Sequence, residues 1–356
     1  MRAGGRVTLK TIADSLGVSV KTVSRALAGK DSVGEELRTR IRAEADRLGY
    51  VPNSMARSLV SGSAMTLGMV ITHPANPFYS LLISAVEERC RANGYSLLLM
   101  VTEEDLETER DAAEALLRWG VDGAVVIPVQ EGAEHWQRLR DSGVPIVLVN
   151  RALDGFDCDF VGVDHERGAY EAVSHLLDSG ASSVHLLEED VPFSSAADRR
   201  AGFRRALTER GLPVRDDAVT LVPPVQGRRV LPWEPGAAYE CARQLVSRLE
   251  PGAAVLTGSD YFALGLYRAL AEKGIDVPAH VAVIGHGDLP FAAYLQPALA
   301  SVRPPADEIG ARAADLLFER IQGSTAPAAS ICLPPELKIR ASAGGDDLRT
   351  TNREEP

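Results

Sequence analysis

The stretch Val7–Leu27, VTLKTIADSLGVSVKTVSRAL, decides how the amino-terminal end of this chain is read. Thr8 offers a hydroxyl to an orphan backbone N–H at a helix start, and Leu9, Ile12, Ala13 and Leu16 recur on one helical face behind it. Gly17 then closes that helix, because glycine enters the left-handed conformation at little cost. Ser19 caps a second helix with Val20, Val23 and Leu27 on its apolar side and Lys21, Thr22, Ser24 and Arg25 on its polar one. A third helix, carrying Leu37, Ile41, Ala45 and Leu48 before Gly49, supplies the remaining apolar face of one small core. The spacing predicts a helix-turn-helix whose second helix lies in the major groove of DNA. Arg25 and Lys21 suit guanine O6 and N7, while hydroxyls and helix N-termini suit phosphate. The same spacing also fits a small helical bundle with a solvated polar face.

Charge distribution favours the first reading. Residues 1–62 hold eleven Lys or Arg against six Asp or Glu, a net of +5, so the rest of the chain carries −16 to reach the total of −11. A basic head on an acidic body directs only the head toward a polyanion.

The body is long enough for more than one core, at 356 residues in all with 45% hydrophobic side chains. The opening MRAGGRVTLK lacks an apolar signal region, and no run approaches the ~20 apolar residues that span a bilayer, so a cytoplasmic protein without a membrane partner is expected. Cys90, Cys158, Cys241 and Cys332 stand far apart with no CxxC pair, which predicts reduced and mostly buried thiols, no zinc site and no cofactor.

From residue 66 onward, short apolar runs alternate with helical patterns: TLGMVIT, SLLLMV, DGAVVIP, PIVLVN, SSVHLL, AAVLTG and VAVIG. That order is βαβ grammar and predicts parallel sheets, with room for two. Ligands of open α/β sheets sit beyond the carboxyl ends of the strands. The polar residues there are Thr72, His73, Asn150, Arg151, Asp164, Glu188, Glu189, Ser259, Asp260 and His286 to Asp288. Asp164 and Asp260 could equally cap the helices that follow, and His73 and His286 could be ordinary surface imidazoles.

From Val7 to about Ser342 the chain resembles the lactose-repressor type (LacI/GalR family) of bacterial transcription regulators. The resemblance is carried by VTLKTIADSLGVSVKTVSRAL, ELRTRIRAEADRLGYVPNSMARSL, NPFYSLLISAVEERCRANGYSLLL, VDGAVVIP, VPIVLVNR, the R-x-x-G-F spacing at Arg199–Phe203, SDYFALGLYRAL and VAVIGHGD. It implies that Val20, Lys21 and Arg25 read bases. Thr8, Thr22 and Ser24 would then contact phosphate, with Ser19 beside them at the helix start. Ala28 departs from the family's usual asparagine, which puts one backbone contact in doubt. PNSMARSL resembles the family's hinge helix, with Asn53 as its cap, Arg57 on its polar side and Leu59 as the wedge in the minor groove; Leu59 could also be an ordinary linker residue. So short a helix falls below the ~12 to 15 residues that survive alone in water, so it is expected to form only with a dimer partner on DNA.

For the rest, the resemblance implies a small all-α head, an α/β periplasmic-binding-protein-like core of two parallel-sheet subdomains, and a homodimer. The divisions expected are a head at 1–50, a linker at 51–63, and a core at 64–343 that the chain crosses near residues 163, 293 and 326. Residues 64–163 and 293–325 would form one subdomain, residues 164–292 and 326–343 the other, and residues 344–356 a disordered tail. By position, effector contacts would be Phe78 and Tyr79 after Asn76, Arg199, Asp260 and the GHGD turn with Asp288, joined by His73, Arg151 and Asp164 from the strand ends. Trp233 could stack at the cleft mouth or simply anchor its own loop. Three departures bear on the effector: Gly287 where an aspartate is usual, Glu188–Asp190 in place of a small neutral segment, and the proline-rich stretch 221–235. A sugar or sugar derivative is the family expectation, whereas the acidic patch suits a ligand carrying an amine.

The function these readings support is a ligand-responsive DNA-binding regulator, a repressor on a near-palindromic operator. A soluble solute-binding protein or a sugar-acting enzyme would use a similar body. Against an enzyme, the sequence has no P-loop, no G-x-S-x-G, no metal-ligand spacing and no dinucleotide fingerprint.

Overall fold

A computed structural model describes residues 7–27, 33–50, 63–224 and 235–345, which fall into two compact units dividing between Ala64 and Met65. In the first unit, α1 (Leu9–Leu16), α2 (Val20–Leu27) and α3 (Glu35–Leu48) enclose Ile12, Ala13, Val23, Ala26, Ile41 and Ala45. Thr8 and Thr11 cap α1 reciprocally: the Thr8 hydroxyl accepts from Thr11 N at 3.3 Å, and the Thr11 hydroxyl accepts from Thr8 N at 3.2 Å. Gly17 ends α1 at φ 66°, and Ser19 Oγ accepts from Thr22 N at 3.1 Å at the start of α2. One side chain sits differently from its expected place on the apolar face: Val20 is 44% exposed, because Ala26 takes the buried position beside Val23.

The second unit begins with β1 (Thr66–Ile71), α4 (Pro77–Ala92), β2 (Ser96–Val101), α5 (Leu106–Trp119), β3 (Gly123–Val126), α6 (Glu134–Asp141), β4 (Ile146–Val149) and β5 (Asp159–Val163). It continues through α7 (His165–Asp178), β6 (Ser183–Glu189), α8 (Ser194–Glu209), β7 (Val219–Val222), α9 (Pro235–Val246), β8 (Ala253–Thr257), α10 (Asp260–Glu272), β9 (Val281–His286) and β10 (Ala300–Arg303). It closes with α11 (Ala306–Ile321), β11 (Ser330–Leu333) and β12 (Glu336–Lys338). Two six-stranded sheets result, ordered β11-β5-β4-β3-β1-β2 and β12-β10-β9-β8-β6-β7. Every pairing is parallel except the edge pair β10 with β12, so each sheet needs helices on its faces. On the first sheet α4 and α11 cover one face through Leu82, Val86, Ile309, Ala313 and Leu317, and α5 and α6 cover the other through Leu116, Trp136 and Leu139.

The first crossing between sheets follows Val163, but the second and third fall later than residues 293 and 326. Residues 300–303 still pair with β9, so the chain leaves the second sheet between Arg303 and Ala306. Residues 330–333 pair with β5, so it leaves the first sheet for good between Leu333 and Glu336. ASVR and SICL mix polar with apolar residues within four positions, so they lack the continuous apolar run that announces the equally short GAVV and IVLV. The stretch 221–235 likewise begins inside β7. Of the four free cysteines only Cys90 is buried, and Cys332 on edge strand β11 is exposed. Among the described residues, no helix is long and apolar enough to cross a membrane.

Candidate functional site

On the head, α2 presents Val20, Lys21, Ser24 and Arg25 to solvent along one face, while Val23 and Ala26 hold the opposite face in the core. Thr22 is half-buried and its hydroxyl lies 2.8 Å from Ser19 Oγ, so this pair and the Thr8–Thr11 box order the starts of α2 and α1. Asn53, Arg57 and Leu59 lie outside the described residues, as does Trp233.

In the body, the carboxyl ends of the strands surround a cleft of about 850 Å³. Of the expected effector residues, His73, Asn76, Phe78, Tyr79, Arg151 and Arg199 line it. Asn76 also caps α4, its Oδ1 accepting from Phe78 N at 3.0 Å, and Pro77 at the first helical position needs no donor partner. This turns the Phe78 and Tyr79 rings to the cavity, edge to face at 5.5 Å between centroids.

Both arginines arrive already paired. Arg151, following β4, donates from Nη1 and Nη2 to Glu104 at 2.7 and 2.9 Å, and its guanidinium lies 3.7 Å above the Phe193 ring. Arg199, on α8, donates from Nε and Nη2 to Glu188, both at 2.8 Å. Glu188 is fully buried, and Gly258 makes room for it: a Cβ there would stand 2.2 Å from Glu188 Oε1.

Three expected contacts do not line the cleft, and each has another partner. Asp164 caps α7, accepting from Arg167 N at 2.9 Å. Asp260 is fully buried at the start of α10, where Oδ2 accepts from Leu289 N at 2.7 Å and Oδ1 accepts from Ser301 Oγ at 2.7 Å. Burial outweighs these bonds and pushes its carboxyl up to about 6. Asp260 therefore fixes the turn that brings His286 and Gly287 to the cavity. Asp288, at φ 48°, pairs with Arg340 at 2.6 Å and is not among the lining residues.

The sequence reading missed His165, which lines the cleft, and Gln130 and Glu109, which support its edge without being among the lining residues. His165, the first residue of α7, reaches Asn150 Oδ1 across the crossing at 3.3 Å and lies 5.3 Å from the His286 ring. Burial and the arginines hold both imidazoles neutral: His165 falls to about 3 and His286 well below its ordinary value. Glu189 is pushed up to about 7, chiefly by burial. Gln130, past β3, exchanges two hydrogen bonds with Ser194 of α8, at 3.3 and 3.2 Å. Glu109 on α5, fully buried, holds that lip in place by accepting from Val129 N at 2.6 Å and Trp136 Nε1 at 2.9 Å, with His135 Nε2 at 2.8 Å. Its helical spacing from Leu106, Ala112, Ala113 and Leu116, which puts a carboxylate on the apolar face of α5, was the available signal.

Comparison with known proteins agrees with both units. Residues 8–53 match the model of bacterial regulatory proteins of the lacI family, and residues 173–343 match a periplasmic binding protein-like domain. The ribose operon repressor of Escherichia coli (strain K12) is 33% identical over 340 residues, covering 94% of this chain and 99% of the repressor. The HTH-type transcriptional repressor PurR of Pasteurella multocida (strain Pm70) is 30% identical over 336 residues, covering 94% and 98%. The fold is shared with the lac repressor dimer bound to operator and the anti-inducer ONPF, at a TM-score of 0.83 and 23% identity over 95% of this chain and 99% of that one. A capped head with an exposed basic helix, two parallel sheets around a polar cleft, and repressor relatives over almost the whole length have one explanation: the chain belongs to the lacI family of bacterial regulatory proteins.

Proposed function

We propose that this protein is a cytoplasmic transcriptional repressor that binds a near-palindromic operator as a homodimer and changes its DNA affinity when a small polar effector fills the cleft. The single observation that carries this reading is the division of labour within one chain: α2 offers an exposed Lys21–Ser24–Arg25 face, and the body offers a strand-end cleft of about 850 Å³. Arg25 and Lys21 read base edges, Val20 meets an apolar base surface, and Thr8, Ser19, Thr22 and Ser24 locate the phosphates. The cleft binds and does not catalyse in this reading, which the repressor relatives support, and both guanidiniums are hydrogen-bonded to carboxylates. The ribose operon repressor among its relatives supports a hydroxyl-rich effector.

Selection of bound fragments from the protein's own genome supplies the operator for the test. Arg25→Ala should lower operator affinity by about 1 to 3 kcal/mol per half-site and erase discrimination at the contacted base, while thermal stabilisation by any effector stays at the wild-type value. Loss of both responses together would mean that the two units do not work separately, and salt-insensitive or sequence-blind binding by the wild type would sink the regulator reading in favour of a solute-binding protein.

A further inference from the structure

Charge in the cleft is unevenly matched. Each of its two arginines is gripped by a carboxylate, Arg151 by Glu104 and Arg199 by Glu188, so the positive charge either offers to a phosphate or carboxylate on a ligand is already offset. The neutral imidazoles of His165 and His286 supply no positive charge either. Beyond the two ion pairs the lining carries Asp105, which caps α5, and also Glu103, Glu131, Glu189 and Asp190, which form no ion pair among the described residues.

A second observation is independent of the acids. His286 is 8% exposed and His165 6%, yet among the described residues His286 Nε2 and His165 Nδ1 have no hydrogen-bond partner, and neither has Nε of the equally buried Arg151. All three side chains are on the cavity wall. Polar atoms this deeply buried are nearly always satisfied, so a ligand with hydroxyls or other polar edges completes them. Phe78 and Tyr261, from the two subdomains, add aromatic surface for the flatter apolar face of a ring.

Resting on the effector-responsive reading above, we propose that the effector is a hydroxyl-bearing ring compound with a protonated amine, and that the ammonium seats against Glu189. Glu189 ends β6 and lines the cleft, and its carboxyl makes no hydrogen bond or ion pair among the described residues. The charged groups that act on it are Glu188 on its own strand, Arg199 on α8, Arg151 after β4 and Glu104 after β2. Both arginines being neutralised, burial prevails and the carboxyl titrates near 7. An ammonium in contact supplies the missing countercharge, so the Glu189 carboxyl gives its proton to solvent and becomes a carboxylate when the ligand binds. A neutral sugar produces no such release, and a phosphate ester is repelled.

The test uses the full-length protein and calorimetry at about pH 6 in buffers of different ionisation heat. The probes are D-glucosamine, D-galactosamine, D-mannosamine and 2-deoxystreptamine, each beside its neutral counterpart (D-glucose, D-galactose, D-mannose, myo-inositol), with glucose 6-phosphate as the anion. At least one amine should bind about tenfold or more tighter than its counterpart, a difference of about 1.4 kcal/mol. It should also release close to one proton. Glu189→Gln should abolish both the preference and the release, and its unchanged melting profile would exclude misfolding as the cause. Equal or tighter binding of the neutral compounds or the phosphate, binding of the amine without proton release, or failure of every amine to bind overturns the proposal. Operator affinity measured with the same compounds separates the two ideas: a neutral sugar or phosphate that shifts it leaves the effector-responsive reading standing without the amine, whereas ligands that bind but never shift it defeat that reading instead.

Discussion

A buried carboxylate and guanidinium tolerate each other far better than either tolerates being left alone. Glu188 is fully buried and Arg199 is 7% exposed, joined by two parallel hydrogen bonds. Removing one partner strands a charge that the protein interior solvates poorly, at a cost of about 3 to 5 kcal/mol, whereas replacing both by apolar groups of similar volume is close to neutral. Glu188→Ala should therefore lower unfolding stability by about 3 kcal/mol, and Glu188→Leu with Arg199→Met should recover most of it in a denaturant titration. A single variant costing under about 1 kcal/mol, or a double variant no better than the single, would show that the pair is not what holds α8 to β6. Glu188 and Arg199 were both visible in the sequence as candidate ligand contacts. Their mutual commitment was not, because two residues eleven positions apart meet only once α8 has packed on the sheet. Glu189 and Asp260 make the same point with opposite outcomes: one carboxyl is left facing the cleft, while the other is enclosed by Leu289 N and Ser301 Oγ.

Helices in the body approach one another at glycines. A Cβ on Gly202 of α8 would fall 2.0 Å from the Glu166 carbonyl oxygen of α7, and one on Gly265 of α10 would fall 2.6 Å from Tyr239 N of α9. On α11, Gly310 stands over Leu82 O of α4 in the same way, at 2.7 Å. Backbone cannot yield as a flexible side-chain end can, so Gly202→Ala should cost about 1 to 3 kcal/mol by forcing α7 and α8 apart. A thermal melt within a degree of wild type would refute that packing. The R-x-x-G-F spacing thereby resolves into three separate roles on one helix: Arg199 pairs with Glu188, Gly202 admits α7, and Phe203 is fully buried in the core between them. At the level of elements the sequence was most readable where signals are local. Caps, closing glycines and apolar periodicity placed α1 to α3 and most of the strands, but β10 and β11 mix polar with apolar residues and lack a continuous apolar run, and the crossings were displaced with them.

Across the whole body, the two sheets are linked at the cleft by contacts whose halves come from different sheets. Gln130 exchanges hydrogen bonds with Ser194, Arg151 lies over Phe193, and His165 reaches Asn150. The two sheets are thus joined here by contacts of mainly polar character, the kind that a bound ligand can reinforce or displace. Gln130→Ala removes two of these hydrogen bonds without touching the arginines. It should weaken effector binding about three- to tenfold, the worth of about 1 kcal/mol of hydrogen bonding, and increase the radius of gyration of the free body in small-angle scattering. Unchanged affinity and unchanged scattering would show that the Gln130–Ser194 contact does not bias closure.

By itself the sequence determined the head, the alternation of strands and helices, and the strand ends at which a ligand must sit, because each of these follows from periodicity, capping and turn chemistry within a few residues of one another. Only the tertiary structure decided where the chain passes between sheets, which carboxylates are spent on arginines or helix starts, and which are left facing the cavity. Those outcomes depend on partners far apart in sequence, 47 residues for Arg151 and Glu104 and 170 for the pairing of Ser330 with Phe160, and burial and charge act on a side chain only after such partners have been brought together.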